Sequence, residues 1–374
     1  MRGRSRALSG TLALLVSLVA GGCGVWPGAG GSDGDLRVLV PNTAGGGYDT
    51  TARTVAQVLE ETGTASDVQV FNLPGAGGTV GLQRTVNERG NGRLALQMGL
   101  GVLGASHVLH TRVAVRQTTP IARLIEEPEA VVVREDSPYR TVGELVAAWK
   151  ESPRRVTVGG GSSLGGPDHL FPMELAGTVG IAPRRVRYVA YDGGGGDLLP
   201  ALLDGRVDFA TSGIGEFLGQ IQAGQLRVLA VSGDRPMAAL PGVPTLQASG
   251  IDLVFHNWRG IVAPPGISPA DRERWIRALT ALHTSRQWKA ELTRHGWTDA
   301  FITGDSFAAY LTRQDAVVAG LVARLGLDRR PGRGGQTERT RWTNSARSAA
   351  DASPRDVAKL STSRIRAPYA SVWS

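Results

Sequence analysis

Short apolar runs alternate with amphipathic segments from residue 36 onward, and this alternation restricts the fold more than any other feature of the sequence. The runs 36–40, 67–71 and 94–98 have the length and apolar content of buried strands. The intervening segments 49–62 and 79–89 place apolar residues at helical spacing. Strands that alternate with helices are typical of a parallel sheet covered by helices, so an α/β fold is predicted.

A second series of strands and helices follows between residues 141 and 232. A β-prone segment, 254–262, then leads into C-terminal helices. A chain of 374 residues has room for about two domains. We therefore predict two α/β units, with the chain returning late to the first; they comprise residues 36–133 plus 256–328, and residues 134–255.

Four glycine-rich loops each lie where a predicted strand runs into a predicted helix. A helix start offers unpaired N–H groups and the positive end of the helix dipole, and glycine lets a ligand approach that backbone closely. Such loops suit an anion, either a carboxylate or a phosphate. The loops read Pro41-Asn-Thr-Ala-Gly-Gly-Gly-Tyr-Asp49, Asn72-Leu-Pro-Gly-Ala-Gly-Gly78, Gly159-Gly-Gly-Ser-Ser-Leu-Gly-Gly166 and Tyr191-Asp-Gly-Gly-Gly-Gly-Asp197.

Ligands of open α/β sheets lie beyond the carboxyl ends of the strands, so we expect the four loops to meet at one cleft. None of the loops contains Lys or Arg, and the sequence has no phosphate-binding GxxxxGK[ST] motif. The loop 159–166 does not spell the dinucleotide motif GxGxxG. These observations favour a small carboxylate over a polyphosphate, and we expect no cofactor.

The net charge of +8 is concentrated at the two ends of the chain. Residues 1–22 carry +3 and residues 329–374 carry +7, which leaves −2 for residues 23–328. Proteins that bind nucleic acid cluster cations on the folded surface. We therefore expect no nucleic-acid partner. The segment 329–374 has few apolar residues, and this composition predicts a basic, disordered tail.

The N-terminus has the three parts of an export signal: arginines at positions 2, 4 and 6, the apolar stretch 11–20, and small residues before Cys23. The sequence Leu18-Val-Ala-Gly-Gly-Cys23 resembles a bacterial lipobox, in which the cysteine is lipidated. We therefore predict a signal peptide over residues 1–22 and a lipid-anchored tether over residues 23–35. The protein is then expected on the outer face of the cytoplasmic membrane; the alternative is a secreted protein with an incidental cysteine.

An ordered series of motifs resembles the substrate-binding proteins of tripartite tricarboxylate transporters, also called the Bug family. The resemblance spans about residues 36–327. It rests on the loop 41–49 followed by Ala52-Arg53, then Asn72-x-Pro-Gly-Ala-Gly-Gly78, Tyr191-x-Gly-Gly194, Gly205-x-Val-Asp208, Gly224-x-Leu-Arg-Val-Leu-Ala-Val231 and Pro241-x-Val-Pro-Thr245.

The resemblance implies a two-lobed, type II-like periplasmic-binding-protein fold, with two hinge strands that we expect near residues 132–136 and 254–258. It implies a receptor that captures a small carboxylate, dicarboxylate or tricarboxylate, and delivers it to a large and a small integral permease subunit. The residues that it implies for ligand binding are Gly45, Gly46, Gly47, Tyr48, Asp49, Gly75, Ala76, Gly77, Gly161, Ser162, Ser163, Tyr191, Gly193, Gly194, Thr211 and Ser212. For Asp49, capping of the following helix is an equal alternative.

Two other functions are weighed against transport. The first is a ligand sensor for a membrane signalling partner. The second is a serine hydrolase, because Gly161-Ser-Ser-Leu-Gly165 spells GxSxG around Ser163, with His169 nearby. The predicted strand ends too early, and the helix starts too late, for a nucleophile elbow. We therefore expect a protein that is not an enzyme. A metal site at His107 and His110 lacks a partnering carboxylate cluster.

Overall fold

The computed structural model describes residues 36–192 and 194–328. The predicted signal peptide, the tether with Cys23, Gly193 and the predicted tail lie outside the described residues. Within the described ranges the chain forms ten strands: β1 (Leu36–Val40), β2 (Val68–Asn72), β3 (Leu94–Gly99), β4 (Thr119–Arg134), β5 (Thr157–Gly160), β6 (Arg187–Ala190), β7 (Phe209–Gly213), β8 (Leu226–Val231), β9 (His256–Ala263) and β10 (Thr298–Thr303).

The same ranges form ten α-helices, and none of these combines the length and apolar content needed to cross a bilayer. The helices are α1 (Gly47–Glu61), α2 (Thr79–Asn87), α3 (Leu100–Val108), α4 (Val142–Glu151), α5 (Pro167–Thr178), α6 (Gly195–Leu203), α7 (Leu218–Gln222), α8 (Pro269–Thr284), α9 (Arg286–His295) and α10 (Gly304–Arg324).

The strands form a mixed sheet in the order β2-β1-β3-β9-β4-β7-β5-β6, and β8 and β10 also pair with β4. Strand β1 is parallel to β2 and β3, and β5 is parallel to β6 and β7. The antiparallel strands β4 and β9 connect these two parallel groups. The predicted α/β class is therefore confirmed.

Strand β4 changes partners along its length. Up to Pro128 it pairs with β9, and from Glu129 onward it pairs with β7 and β8. The expected hinge segment 132–136 begins within the second pairing, since Val132 lies opposite Ala210 and Val228. We therefore place the crossing between the two groups of strands at Pro128 and Glu129, earlier than the sequence suggested.

Three elements escaped sequence analysis. Helix α3 follows β3 without a turn and is apolar on most of its surface, so it has no helical pattern to read. The first half of β4 contains two prolines and three glutamates, which argue against a strand. Strand β10 pairs with that half of β4 across a register shift. Tryptophans, by contrast, were correctly predicted to pack the core: Trp149, Trp258, Trp275, Trp288 and Trp297 are all buried.

Candidate functional site

The four glycine-rich loops lie at the carboxyl ends of β1, β2, β5 and β6, and each runs into a helix, as predicted. They surround a cavity of about 630 Å³. Loops from both parallel groups contribute to its lining. The predicted site residues that the structure brings together in this lining are Gly47, Tyr48, Gly75, Ala76, Gly77, Gly161, Ser162, Ser163 and Gly194.

Loops of the two groups approach one another closely at two glycines. Gly77 has a φ of +62°, and a Cβ atom there would lie 2.5 Å from the Cβ atom of Ala105 and 3.5 Å from that of Ser163. Gly194 has a φ of +72°, and a Cβ atom there would lie 3.1 Å from the Cα atom of Gly46. Both positions combine a left-handed backbone with a lack of space, so they require glycine.

Tyr48 lies in the wall of the cavity with its hydroxyl group tied to the backbone. The hydroxyl oxygen accepts a hydrogen bond from the Gly101 N–H group at 3.0 Å. Burial raises the pKa of Tyr48 to about 12, so the phenol is neutral at physiological pH. The ring therefore supplies an uncharged surface to the site.

Asp49 lies behind the first loop rather than in the cavity lining. Its buried carboxylate accepts hydrogen bonds of 2.9 Å from the Gly45 N–H group, from Arg53 Nε and from Asn72 Nδ2. Burial opposes ionisation, but these donors together hold the pKa of Asp49 below its usual value. Because protein groups already occupy the carboxylate, the structure places Asp49 as a support that fixes the first loop.

The remaining predicted site residues are also outside the lining of this cavity, each for a local reason. Thr211 and Ser212 are buried in β7; Thr211 Oγ1 donates to the backbone oxygen of Asp168 at 2.7 Å. Gly45 lines a separate cavity of about 170 Å³ behind the first loop. Gly46 lies in the first loop against Gly194, the Tyr191 N–H group donates to the Gly160 oxygen at 2.9 Å, and Gly193 is outside the described residues.

The serine loop does not have the geometry of a nucleophile and base. Ser163 Oγ donates to Asp192 Oδ1 at 2.8 Å, whereas His169 Nδ1 accepts from the Gly165 N–H group at 3.0 Å. The ring of His169 packs edge-on against Tyr188 at 4.6 Å between centroids. Burial lowers the pKa of His169 to about 4. This histidine therefore serves the packing of the loop.

No group of three or more His, Cys, Asp or Glu side chains in residues 36–192 and 194–328 is arranged to hold a metal ion. His107 Nε2 lies 2.8 Å from Asp315 Oδ1, and His110 Nε2 lies 2.9 Å from the backbone oxygen of Asp328. Both histidines therefore connect helix α3 and its following turn to the C-terminal helix and its end.

A buried charged group that sequence analysis missed forms the floor of the cavity. Arg259, in β9, pairs with Glu127 of β4 and donates from Nη1 to Thr51 Oγ1 at 3.1 Å. Glu216, which follows β7, accepts from the N–H groups of Gly47 and Gly195 and so connects the starts of α1 and α6. Arginine within an apolar strand is the signal that could have revealed this group, because a buried charge requires a partner.

Acidic groups outnumber Arg259 in this part of the site. Burial raises the pKa of Glu127, Glu129, Asp168 and Glu216, and Arg259 offsets only part of that effect. Mutual repulsion adds to the shifts: Glu216 raises the pKa of Asp168, and Asp168 raises that of Glu129. The floor of the cavity is therefore short of positive charge.

Comparison with known proteins gives one consistent result. Residues 51–313 match the family described as tripartite tricarboxylate transporter family receptor. The chain is 24% identical over 296 residues to the protein BugT of Bordetella pertussis, covering 78% of this chain and 89% of BugT.

Two solved structures resemble the fold. A TctC solute-binding protein from Polaromonas is 27% identical, with a TM-score of 0.58, and the match covers 77% of this chain and 98% of that protein. MatC from Rhodopseudomonas palustris, solved with bound malate, is 21% identical with a TM-score of 0.67, and the match covers 79% of this chain and 98% of MatC.

Proposed function

This chain belongs to the tripartite tricarboxylate transporter receptor family, as its motifs predicted, and from that premise we propose that it is an extracytoplasmic receptor for a small carboxylate. The solute is captured between two lobes built on the two parallel groups of strands. The receptor then delivers it to the large and small integral subunits of a tripartite transporter. The predicted lipid anchor at Cys23 would hold it at the membrane surface.

The observation that carries this proposal is the convergence of four strand-to-helix loops from both groups on one cavity of about 630 Å³. Backbone N–H groups at helix starts bind carboxylates without a basic side chain. The bound malate of MatC, a protein of the same fold, is a ligand of that class. A solute that contacts both groups of strands would favour the closed arrangement of the lobes.

We infer that the protein acts by binding, without turnover. The bonds of Ser163 to Asp192 and of His169 to the backbone favour this over hydrolysis. The direct test is calorimetric titration of the purified protein with malate, succinate, glutarate, adipate, citrate and their amino-substituted analogues. We expect saturable binding of at least one carboxylate and its recovery unchanged from the complex.

Matched variants locate the binding. Gly161→Ala places a Cβ atom 2.9 Å from Asp168 Oδ2 and 3.0 Å from Gly194 in the cavity wall, and we expect it to weaken binding. Gly219→Ala meets no atom within 4 Å and is the control. Absence of binding across all carboxylates, or equal affinity in both variants, would contradict this site.

Delivery needs a separate test. We expect the receptor to co-purify with the two integral subunits in the presence of the solute, and uptake of labelled solute to require all three proteins. Binding without any effect on uptake would instead favour the sensor.

A further inference from the structure

Resting on the proposed function, we propose that the solute carries a protonated nitrogen in addition to its carboxylate, and that Asp168, Glu216 and Asn257 receive this cationic group. The solute is then an amino-substituted carboxylate rather than a plain dicarboxylate or tricarboxylate. The inference rests on the charges that line the cavity and on one unpartnered buried oxygen.

The charged side chains that line the cavity, among the described residues, are three acids and one arginine: Asp168, Asp192, Glu216 and Arg259. The arginine already pairs with Glu127 and bonds Thr51. It is therefore not free to bind a second carboxylate of the solute. Asp192 in turn accepts the hydrogen bond of Ser163. Asp168 and Glu216 are left with an excess of buried negative charge around them.

Asn257 gives the independent observation. It lines the same cavity and is only 4% exposed. Its Nδ2 donates to Glu129 Oε1 at 3.3 Å, and because a carboxylate can only accept, this bond fixes which end of the amide is the oxygen. Its Oδ1 atom is buried without a hydrogen-bond partner. A buried acceptor of this kind requires a donor, which a plain carboxylate solute does not offer.

A cationic nitrogen satisfies both observations at once. It supplies the counter-charge that Asp168 and Glu216 lack, and it supplies a donor for Asn257. A second carboxylate would instead enter a buried site that is already negative, which electrostatic complementarity disfavours. The carboxylate of the solute remains with the N–H groups of the glycine-rich loops.

Pairs of compounds with the same number of methylene groups test the inference by calorimetry. β-Alanine is compared with succinate, 4-aminobutyrate with glutarate, and 5-aminopentanoate with adipate; aspartate and glutamate are added because they carry the nitrogen beside a carboxylate. We expect the best amino compound to bind at least about 10-fold more tightly than the best plain dicarboxylate. Equal or tighter binding of the dicarboxylate would overturn the inference and leave the proposed function intact. Failure of every compound to bind would overturn both.

Two isosteric variants test the residues. Asp168→Asn and Glu216→Gln remove one charge each, and we expect each to weaken binding of the amino compound by about 10-fold without weakening that of the dicarboxylate. Asp197→Asn, an exposed acid in the first turn of α6 that does not line the cavity, is the matched control and should change neither affinity. Circular dichroism confirms that each variant folds. Unchanged selectivity in both folded variants would overturn the inference.

Discussion

At the scale of single residues, Asp49 shows how a buried carboxylate can shape a site without touching the solute. Its side chain is only 5% exposed, and it accepts from Gly45 in the first loop, from Arg53 in α1 and from Asn72 at the end of β2. Three elements therefore meet at one carboxylate. Its loss would leave the loop and Asn72 without their partner.

We predict that Asp49→Ala destabilises the protein at neutral pH by about 2 kcal/mol, because charged hydrogen bonds in a buried setting are lost. The folded-state pKa of Asp49 is lowered, so its stabilising effect is present above its ordinary value of 3.8 and is lost as the pH falls through the lower folded value. Urea unfolding at neutral and acid pH should therefore show a difference from wild type that shrinks in acid. A difference that grows in acid would contradict this role.

Arg259 has the opposite role, since it is the positive centre of the buried acidic group. We predict that Arg259→Leu destabilises the protein by about 3–5 kcal/mol, because Glu127 and Glu216 lose their nearby cation. Adding Glu127→Gln to this variant should restore part of the loss, since one uncompensated charge is removed. Denaturant unfolding of the single and double variants checks this, and a double variant less stable than the single one would refute it.

At the scale of elements, the short 76–78 turn before α2 positions the second loop against α3 and the serine loop. We predict that Gly77→Ala costs about 1–3 kcal/mol, because its φ of +62° and the 2.5 Å approach to Ala105 both oppose a side chain. The control is Gly177→Ala, an exposed position in α5 with no atom within 4 Å, which should be neutral or stabilising by up to about 1 kcal/mol. Thermal unfolding separates the two; equal effects would show that the turn tolerates a side chain.

At the scale of the whole molecule, the acids between the two groups of strands connect stability to pH. Glu129 faces Asp168 of α5, Glu127 of β4, Glu216 after β7, and Arg259 and Asn257 of β9. Its pKa is raised by burial and then by these acids. The favourable neutral form is therefore fully present below the ordinary value of 4.5, and its contribution is lost as the pH rises through the folded pKa.

We predict that Glu129→Gln raises the free energy of unfolding at pH 8 by at least about 1 kcal/mol, since it removes a buried charge and retains an acceptor for Asn257. The gain should shrink as the pH is lowered, because wild-type Glu129 then becomes neutral too. Melting temperatures of both proteins from pH 8 to pH 5 measure this. A gain that does not depend on pH would mean that Glu129 is already neutral at pH 8.

The sequence by itself determined the α/β class, the position of the four loops and the family. These depend on local signals: β-prone apolar runs, helical spacing, and glycine where a strand turns into a helix. Strand β1 and strand β6 even have the predicted bounds, Leu36–Val40 and Arg187–Ala190. Local signals of this kind survive folding because neighbouring residues produce them.

Only the tertiary structure decided the acidic floor of the cavity. The antiparallel register sets Glu127 opposite Asn257 and Glu129 opposite Gly213, and this register brings together acids that lie far apart in the sequence. Asp168 and Glu216 join them from the ends of other elements. The sequence showed these residues as scattered charges of ordinary surface type. Their function follows from burial and from distance to Arg259, and long-range strand pairing determines both.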